Sequence, residues 1–173
     1  TLTQNSSGWS NIAVGYAALN YNLGGNSNIA LGSCALFASI CGCNNFAAGT
    51  GALYCNTTGN NNISIGYQSL YNNTTGKNNI SIGCNSGCAI TNGNYNVIIG
   101  SNTGSTIATS SCNIIISDGL GNARICASNT SSVIIPSTSE SISTQTGALQ
   151  VVGGVGIGGN VNIGGSVTGG GIR

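Results

Sequence analysis

Six glycines, Gly15, Gly32, Gly49, Gly66, Gly83 and Gly100, recur every seventeen residues without a slip. Each closes one phrase: Asn, a large apolar residue, a small or apolar residue, an apolar residue, Gly. The copies read N-I-A-V-G from Asn11, N-I-A-L-G from Asn28, N-F-A-A-G from Asn45, N-I-S-I-G from Asn62 and Asn79, and N-V-I-I-G from Asn96. A seventh, N-I-I-I-S from Asn113, keeps the phase but ends in Ser117. A fixed short period means one structural unit stacked on copies of itself.

Within the phrase, apolar residues alternate with a smaller one, as Ile12 and Val14 do around Ala13. Period two with β-branched residues predicts a strand with one face buried. In the last two copies the middle residue also becomes apolar, Ile98 and Ile115, which suggests that both faces are covered there. A second glycine row, Gly25, Gly42, Gly59, Gly76 and Gly93, follows the first by ten residues. Between the rows stand Leu19, Leu36, Leu53 and Leu70, giving way to Gly87 and Gly104. The coil therefore reads as strand, glycine corner, second short strand anchored by Leu, and an Asn/Gly-rich turn back. Glycine suits both corners because tight reversals often need positive φ. The Asn before each strand is placed to pair, amide to amide, with its equivalents above and below.

Charge is nearly absent: Lys77, Arg124 and Arg173 stand against Asp118 and Glu140. No basic patch exists to neutralise a phosphate backbone, so nucleic acid is not an expected partner. Membrane insertion is not expected either, since no apolar run approaches a span. The regular spacing of Ile and Val argues against disorder. The sequence contains no Met and shows no signal peptide at Thr1, which suggests a processed protein or a piece of a longer one. Eight cysteines suggest an oxidising setting, yet neighbouring coils never carry Cys at one phase. Disulfides, bridges between chains and buried thiols acting as small hydrophobes all stay open. Burying three or four apolar side chains per coil is a small return on ordering seventeen residues, so copies of the chain are expected to associate.

The N-[VI]-[AS]-[IV]-G phrase resembles the head repeats of trimeric autotransporter adhesins, the YadA-like left-handed parallel β-roll. The longer unit from Thr57 to Gly76 also resembles repeats of phage and large-virus fibre proteins. The resemblance spans residues 9–117 and implies three chains packed side by side. The seventeen-residue coil is longer than that of the bacterial heads, so the loop side should be larger.

The rest of the chain differs. A Ser/Thr-rich stretch, 118–146, contains the only proline, Pro136, and reads as a linker. From Gly147 to Arg173, Val155, Val161 and Val167 fall six apart, with Ile157 and Ile163 two residues behind the first two. Such units are too short for a self-contained coil and suit three chains wound about one axis. This stretch resembles the T-G-A-L…V-V-G-G-V-G-I-G-G-N segment of viral and phage fibres. The expected organisation is a lead-in over 1–8, a seven-coil all-β roll over 9–117, the linker, and a Gly-rich interwoven β stalk over 147–173.

Catalysis is not expected: the chain has no His for a nucleophile pair and only two carboxylates. Its glycine runs lack the strand-to-helix setting of a dinucleotide fingerprint. C-G-C at Cys41–Cys43 and C-N-S-G-C at Cys84–Cys88 have no matched second unit, so neither metal nor cofactor is expected. Tyr16 and Tyr67 share one phase and Tyr54 and Tyr71 another, while Tyr21, Tyr95 and Trp9 are scattered. The paired tyrosines are candidate surface contacts for sugars or proteins, or else interface packing. Several sequons occur, among them those at Asn56, Asn62, Asn73, Asn79 and Asn129; a glycan on Asn62 or Asn79 would have to point outward.

The expected function is structural: a homotrimeric tail or capsid fibre on a virion surface, joined to other fibre or virion proteins and supporting attachment to a host-surface glycan or protein. The alternatives are a bacterial trimeric adhesin head, a subunit of an extracellular cellular filament, and an ice-binding solenoid, the last lacking Thr-x-Thr ranks.

Overall fold

The three residues before each repeat glycine are the part of the coil free to extend, and each trio forms a strand. These are β1 (Ile12–Val14), β2 (Ile29–Leu31), β3 (Phe46–Ala48), β4 (Ile63–Ile65), β5 (Ile80–Ile82) and β6 (Val97–Ile99), followed by β7 (Ile114–Ser117). The computed structural model describes residues 4–128 and 133–134. Each strand pairs in parallel with the next at a shift of one coil, as Ile12 beside Ile29 and Ala13 beside Ala30. The result is a stacked parallel β-solenoid with seventeen-residue coils.

The stack is finished by reversal. β8 (Ala123–Ala127) returns antiparallel on β7, and β9 (Val133–Ile134) returns antiparallel on β8. Both fall within 118–146 and belong to the same sheet. At the other end, residues 4–10 keep the phase of the later coils: Gly8 lies against Gly25 and Asn5 against Asn22. The chain divides between Ser137 and Thr138, and the stalk expected over 147–173 lies outside the described residues.

Three expectations are corrected. The strand is inside out relative to the pattern: Ala30, Ala47, Ser64 and Ser81 are fully buried, while Ile12, Val14, Ile63 and Ile65 are exposed. Volume explains it. The interior is already filled by Leu19, Leu36, Leu53 and Leu70, so only a small residue fits opposite.

Second, those leucines form no strand. They sit in turns with φ between 48 and 52°, a left-handed conformation unfavourable for Leu, offset here by complete burial. Where the row becomes Gly87 and Gly104, the vacated space is taken by Ile98 from the strand side, with Ile90 beside it at Gly104. Ile98 Cδ1 lies 3.4 Å from where a Cβ of Gly87 would stand and 3.0 Å from that of Gly104. The apolar middle residue of the last coils is therefore core, and needs no cover from outside.

Third, the two glycine rows have different causes. Gly15, Gly32, Gly49, Gly66, Gly83 and Gly100 have φ of 101 to 139°, and a Cβ on any of them would sit under 3.0 Å from backbone of the next coil. The second row has no positive φ and is required by close approach alone: a Cβ on Gly59 would strike the Gly76 carbonyl oxygen and the Asn56 side chain. Ser117 replaces glycine where no further parallel coil follows.

Candidate functional site

Inside the coil, the expected asparagine ladder is present. Asn45 donates Nδ2 to Asn28 Oδ1 at 3.1 Å, Asn62 to Asn45 at 3.1 Å, and Asn79 to Asn62 at 3.2 Å. Asn11 and Asn28 begin the series, and Asn113 closes it on Asn96 at 2.9 Å. Each Oδ1 from Asn11 to Asn96 also receives a backbone N–H from the next coil, and between Asn79 and Asn96 this bond, at 2.9 Å, makes the link in place of an amide-to-amide one. Each Nδ2 also reaches a backbone carbonyl, as Asn62 does with Gly76 at 2.8 Å. A buried primary amide satisfied this fully is a fixed spacer between coils.

A second ladder, not anticipated, runs seven residues after the repeat glycine. Asn22 donates to Asn5 at 2.9 Å and Asn73 to Asn56 at 3.0 Å. Ser39 and Ile90 occupy the same phase and interrupt it, leaving Asn22 Oδ1, Ser39 Oγ and Asn73 Oδ1 buried without a partner. Asn56, Asn62, Asn73 and Asn79 are all fully buried in these ladders. The outward-pointing glycan considered for Asn62 and Asn79 therefore has no place in the fold; Asn129 lies outside the described residues.

Outside the coil, the strand face presents two continuous apolar columns. One runs Ile12, Ile29, Phe46, Ile63, Ile80, Val97 and Ile114; the other runs Val14, Leu31, Ala48, Ile65, Ile82, Ile99 and Ile116. Every member is exposed or half-buried in the single chain, with no charged residue among them. The two columns lie side by side on the same strands and form one contiguous apolar surface.

The four tyrosines separate into two kinds. Tyr16 is 82% exposed and Tyr67 is 51% exposed. Tyr54 and Tyr71 are half-buried in an aromatic column with Phe37, their ring centroids 4.9 Å apart at each step and their planes nearly parallel, and Tyr21 meets Phe37 edge-on at 5.0 Å. Burial raises the Tyr71 hydroxyl above its usual pKa, with Cys55 and Tyr54 adding to it. Phe37 could have been found by phase, since it falls five residues after Gly32 as Tyr54 does after Gly49.

All eight cysteines are free thiols, none of them buried. Burial raises the Cys55 and Cys88 thiols, which holds them in the unreactive protonated form. Two depressions mark the flanks: an apolar one of about 210 Å³ between Tyr21, Leu23, Ala38 and Ile40, and a polar one of about 380 Å³ between Thr58, Thr75, Lys77, Asn92, Asn94 and Tyr95. Among the described residues no helix is long and apolar enough to cross a membrane. No protein-family model, curated protein or solved structure matches the chain.

Proposed function

We propose that the chain is a segment of a homotrimeric structural fibre on the surface of a virus or phage, holding or presenting the contact with a host surface. The observation that carries it is the strand face. Two columns, mostly Ile, Val and Leu with Phe46 and Ala48 in the third coil, face outward. The interior is filled by Leu, Ala, Ser and Asn, and among the described residues isoleucine enters it only at Ile90, Ile98 and Ile115. A chain that leaves its largest β-branched residues outside has reserved them for another surface. A second copy offers the matching repeat at the same rung spacing of about 4.8 Å, and three copies around an axis would shelter all the columns. The work is then mechanical: stiffness from the asparagine ladders, and avidity from three-fold display.

Sedimentation of the native protein, with and without reductant, tests the assembly. A species of three chains, each 17.0 kDa, is expected in both conditions, and Ile65→Asp should convert it to a folded monomer. A stable monomer of the unaltered chain would overturn the trimer. Immunolabelling then tests the owner: decoration of purified virions is expected, and labelling confined to bacterial envelopes would sink the viral assignment.

A further inference from the structure

The polar depression draws its lining from three successive coils. Thr58, Thr75 and Asn92 share one phase, seventeen residues apart, Lys77 and Asn94 share another, and Tyr95 follows. Rungs about 4.8 Å apart set two hydroxyls and an amide in a row beside an ammonium and a phenol ring. The backbone beneath is fixed: Lys77 N–H donates to Asn94 Oδ1 at 2.8 Å, and Tyr95 N–H donates to the Lys77 carbonyl at 2.9 Å. Lys77 is exposed, and the one ion pair among the described residues joins Arg124 to Asp118, elsewhere in the chain.

Tyr95 is the unusual member. Its φ is 59°, at a phase where the other coils carry the smaller Ser10, Ser27, Asn44, Asn61, Asn78 and Cys112 with φ of 56 to 62°. Asn enters this region easily and a bulky residue does not. Packing gives no reason for the ring either: it is 61% exposed and stacks on no other ring among the described residues. A conformationally disfavoured residue with an uncovered aromatic face points to a ligand.

We propose that this depression binds an acidic saccharide, a sugar chain bearing carboxylate or sulfate groups. The Tyr95 ring takes the C–H face of a pyranose, Lys77 pairs with the anionic group, and Thr58, Thr75 and Asn92 exchange hydrogen bonds with hydroxyls. This deepens the attachment role proposed above and rests on it for its setting.

The test is calorimetric titration of the full chain at low salt with hyaluronan hexasaccharide (carboxylate), heparin hexasaccharide (sulfate and carboxylate) and cellohexaose (neutral). At least one acidic probe should bind about tenfold more tightly than cellohexaose, and Lys77→Gln and Tyr95→Asn should each weaken it about tenfold. The two acidic arms distinguish carboxylate from sulfate recognition. Absence of binding by both acidic probes at millimolar concentration overturns the site, as does binding that neither variant alters. Sedimentation of the same samples separates the two proposals. A trimer that binds no probe removes the site alone, while a monomer whose binding depends on Tyr95 removes the trimer and leaves the site standing.

Discussion

Asn73 donates its side-chain amide to Oδ1 of Asn56 at 3.0 Å and receives nothing at its own Oδ1, because the same position one coil on is Ile90. Asn22 meets the same gap at Ser39, whose hydroxyl is too short to reach either neighbour. A buried acceptor without a donor costs about 1–3 kcal/mol. Ser39→Asn should join Asn22 to Asn56 and stabilise the fold by about that amount. Urea unfolding should show a raised midpoint at unchanged slope; a midpoint equal to or below that of the unaltered chain would mean that the ladder is not continuous.

The main ladder makes a prediction that depends on position. Asn62 accepts from the backbone N–H and Nδ2 of Asn79 and donates to Asn45 Oδ1 and the Gly76 carbonyl. Asn62→Ala should cost about 2–3 kcal/mol, because the buried Asn79 backbone N–H loses its acceptor while Asn79 Nδ2, Asn45 Oδ1 and the Gly76 carbonyl each drop to a single remaining partner. Asn11 opens the series and is only half-buried, so Asn11→Ala should cost about 1 kcal/mol. Equal costs in denaturant unfolding would remove the distinction between ladder interior and end.

Core volume is exchanged across the coil between Gly87 and Ile98. A Cβ at Gly87 would stand 2.8 Å from Ser81 Oγ and 3.1 Å from Leu70 Cδ2. Gly87→Leu restores the residue of the preceding coils at a φ those leucines already adopt, but overfills the interior while Ile98 is present. Ile98→Ala alone opens a cavity and should cost about 2–5 kcal/mol. The double variant should be more stable than the sum of the two losses by at least about 1 kcal/mol. Simple additivity in the double-mutant cycle would refute the exchange.

The repeat glycines and the ladder asparagines could be read from the sequence because in a stacked coil the sequence period is also the spatial neighbour. Gly15 touches Gly32, and Asn45 touches Asn62, so the constraint on one is written again in the next. Which strand face is inward was not legible. Alternation around Ala13 fixes only that the faces differ, and the Leu19 row decides the matter by taking the interior volume. Nor does residue type reveal that Leu19 or Leu53 adopts positive φ, so the turn passed for a strand. Of the candidate contacts, phase picked out Tyr16, Tyr67, Tyr54 and Tyr71 because they recur. The aromatic column holding Tyr54 and Tyr71 also includes Phe37, whose different residue type hid the match. Tyr95 occurs once in its row, so only its bulk at a left-handed position and its exposed ring single it out.

Stability should be flat between about pH 5 and 8, since no His titrates there. On the acid side, the Asn122 amide and the Arg124 guanidinium, with the backbone N–H groups of Asn122 and Leu120, lower the Asp118 pKa from 3.8 to about 2. A lowered carboxyl stabilises the fold in full above its unfolded value, and that contribution is lost as pH falls from about 4 through about 2. On the alkaline side, Cys55, Cys88 and Tyr71 are raised above 9.0, 9.0 and 10.0. Their contribution is complete below those unfolded values and is lost as pH rises past them. Thermal unfolding across pH checks both arms, and Asp118→Asn should remove the acid arm. A slope in the neutral range would show that other groups titrate on unfolding.

Tyr95→Asn separates a residue held for contact from one held for packing. At φ 59° a tyrosine carries a left-handed cost of about 1–2 kcal/mol that asparagine largely avoids. The exposed ring contributes little burial in return. The substitution also restores the residue that Asn44, Asn61 and Asn78 show the coil accepts at that phase. Tyr95→Asn should therefore raise the unfolding free energy by about 1 kcal/mol while weakening saccharide binding, the stability–function trade expected of a strained surface residue. Asn61→Tyr, which places the same ring one coil pair earlier, should lower stability by a similar amount. A fall in the unfolding midpoint for Tyr95→Asn would identify the ring as structural packing and leave the polar depression without its strongest argument.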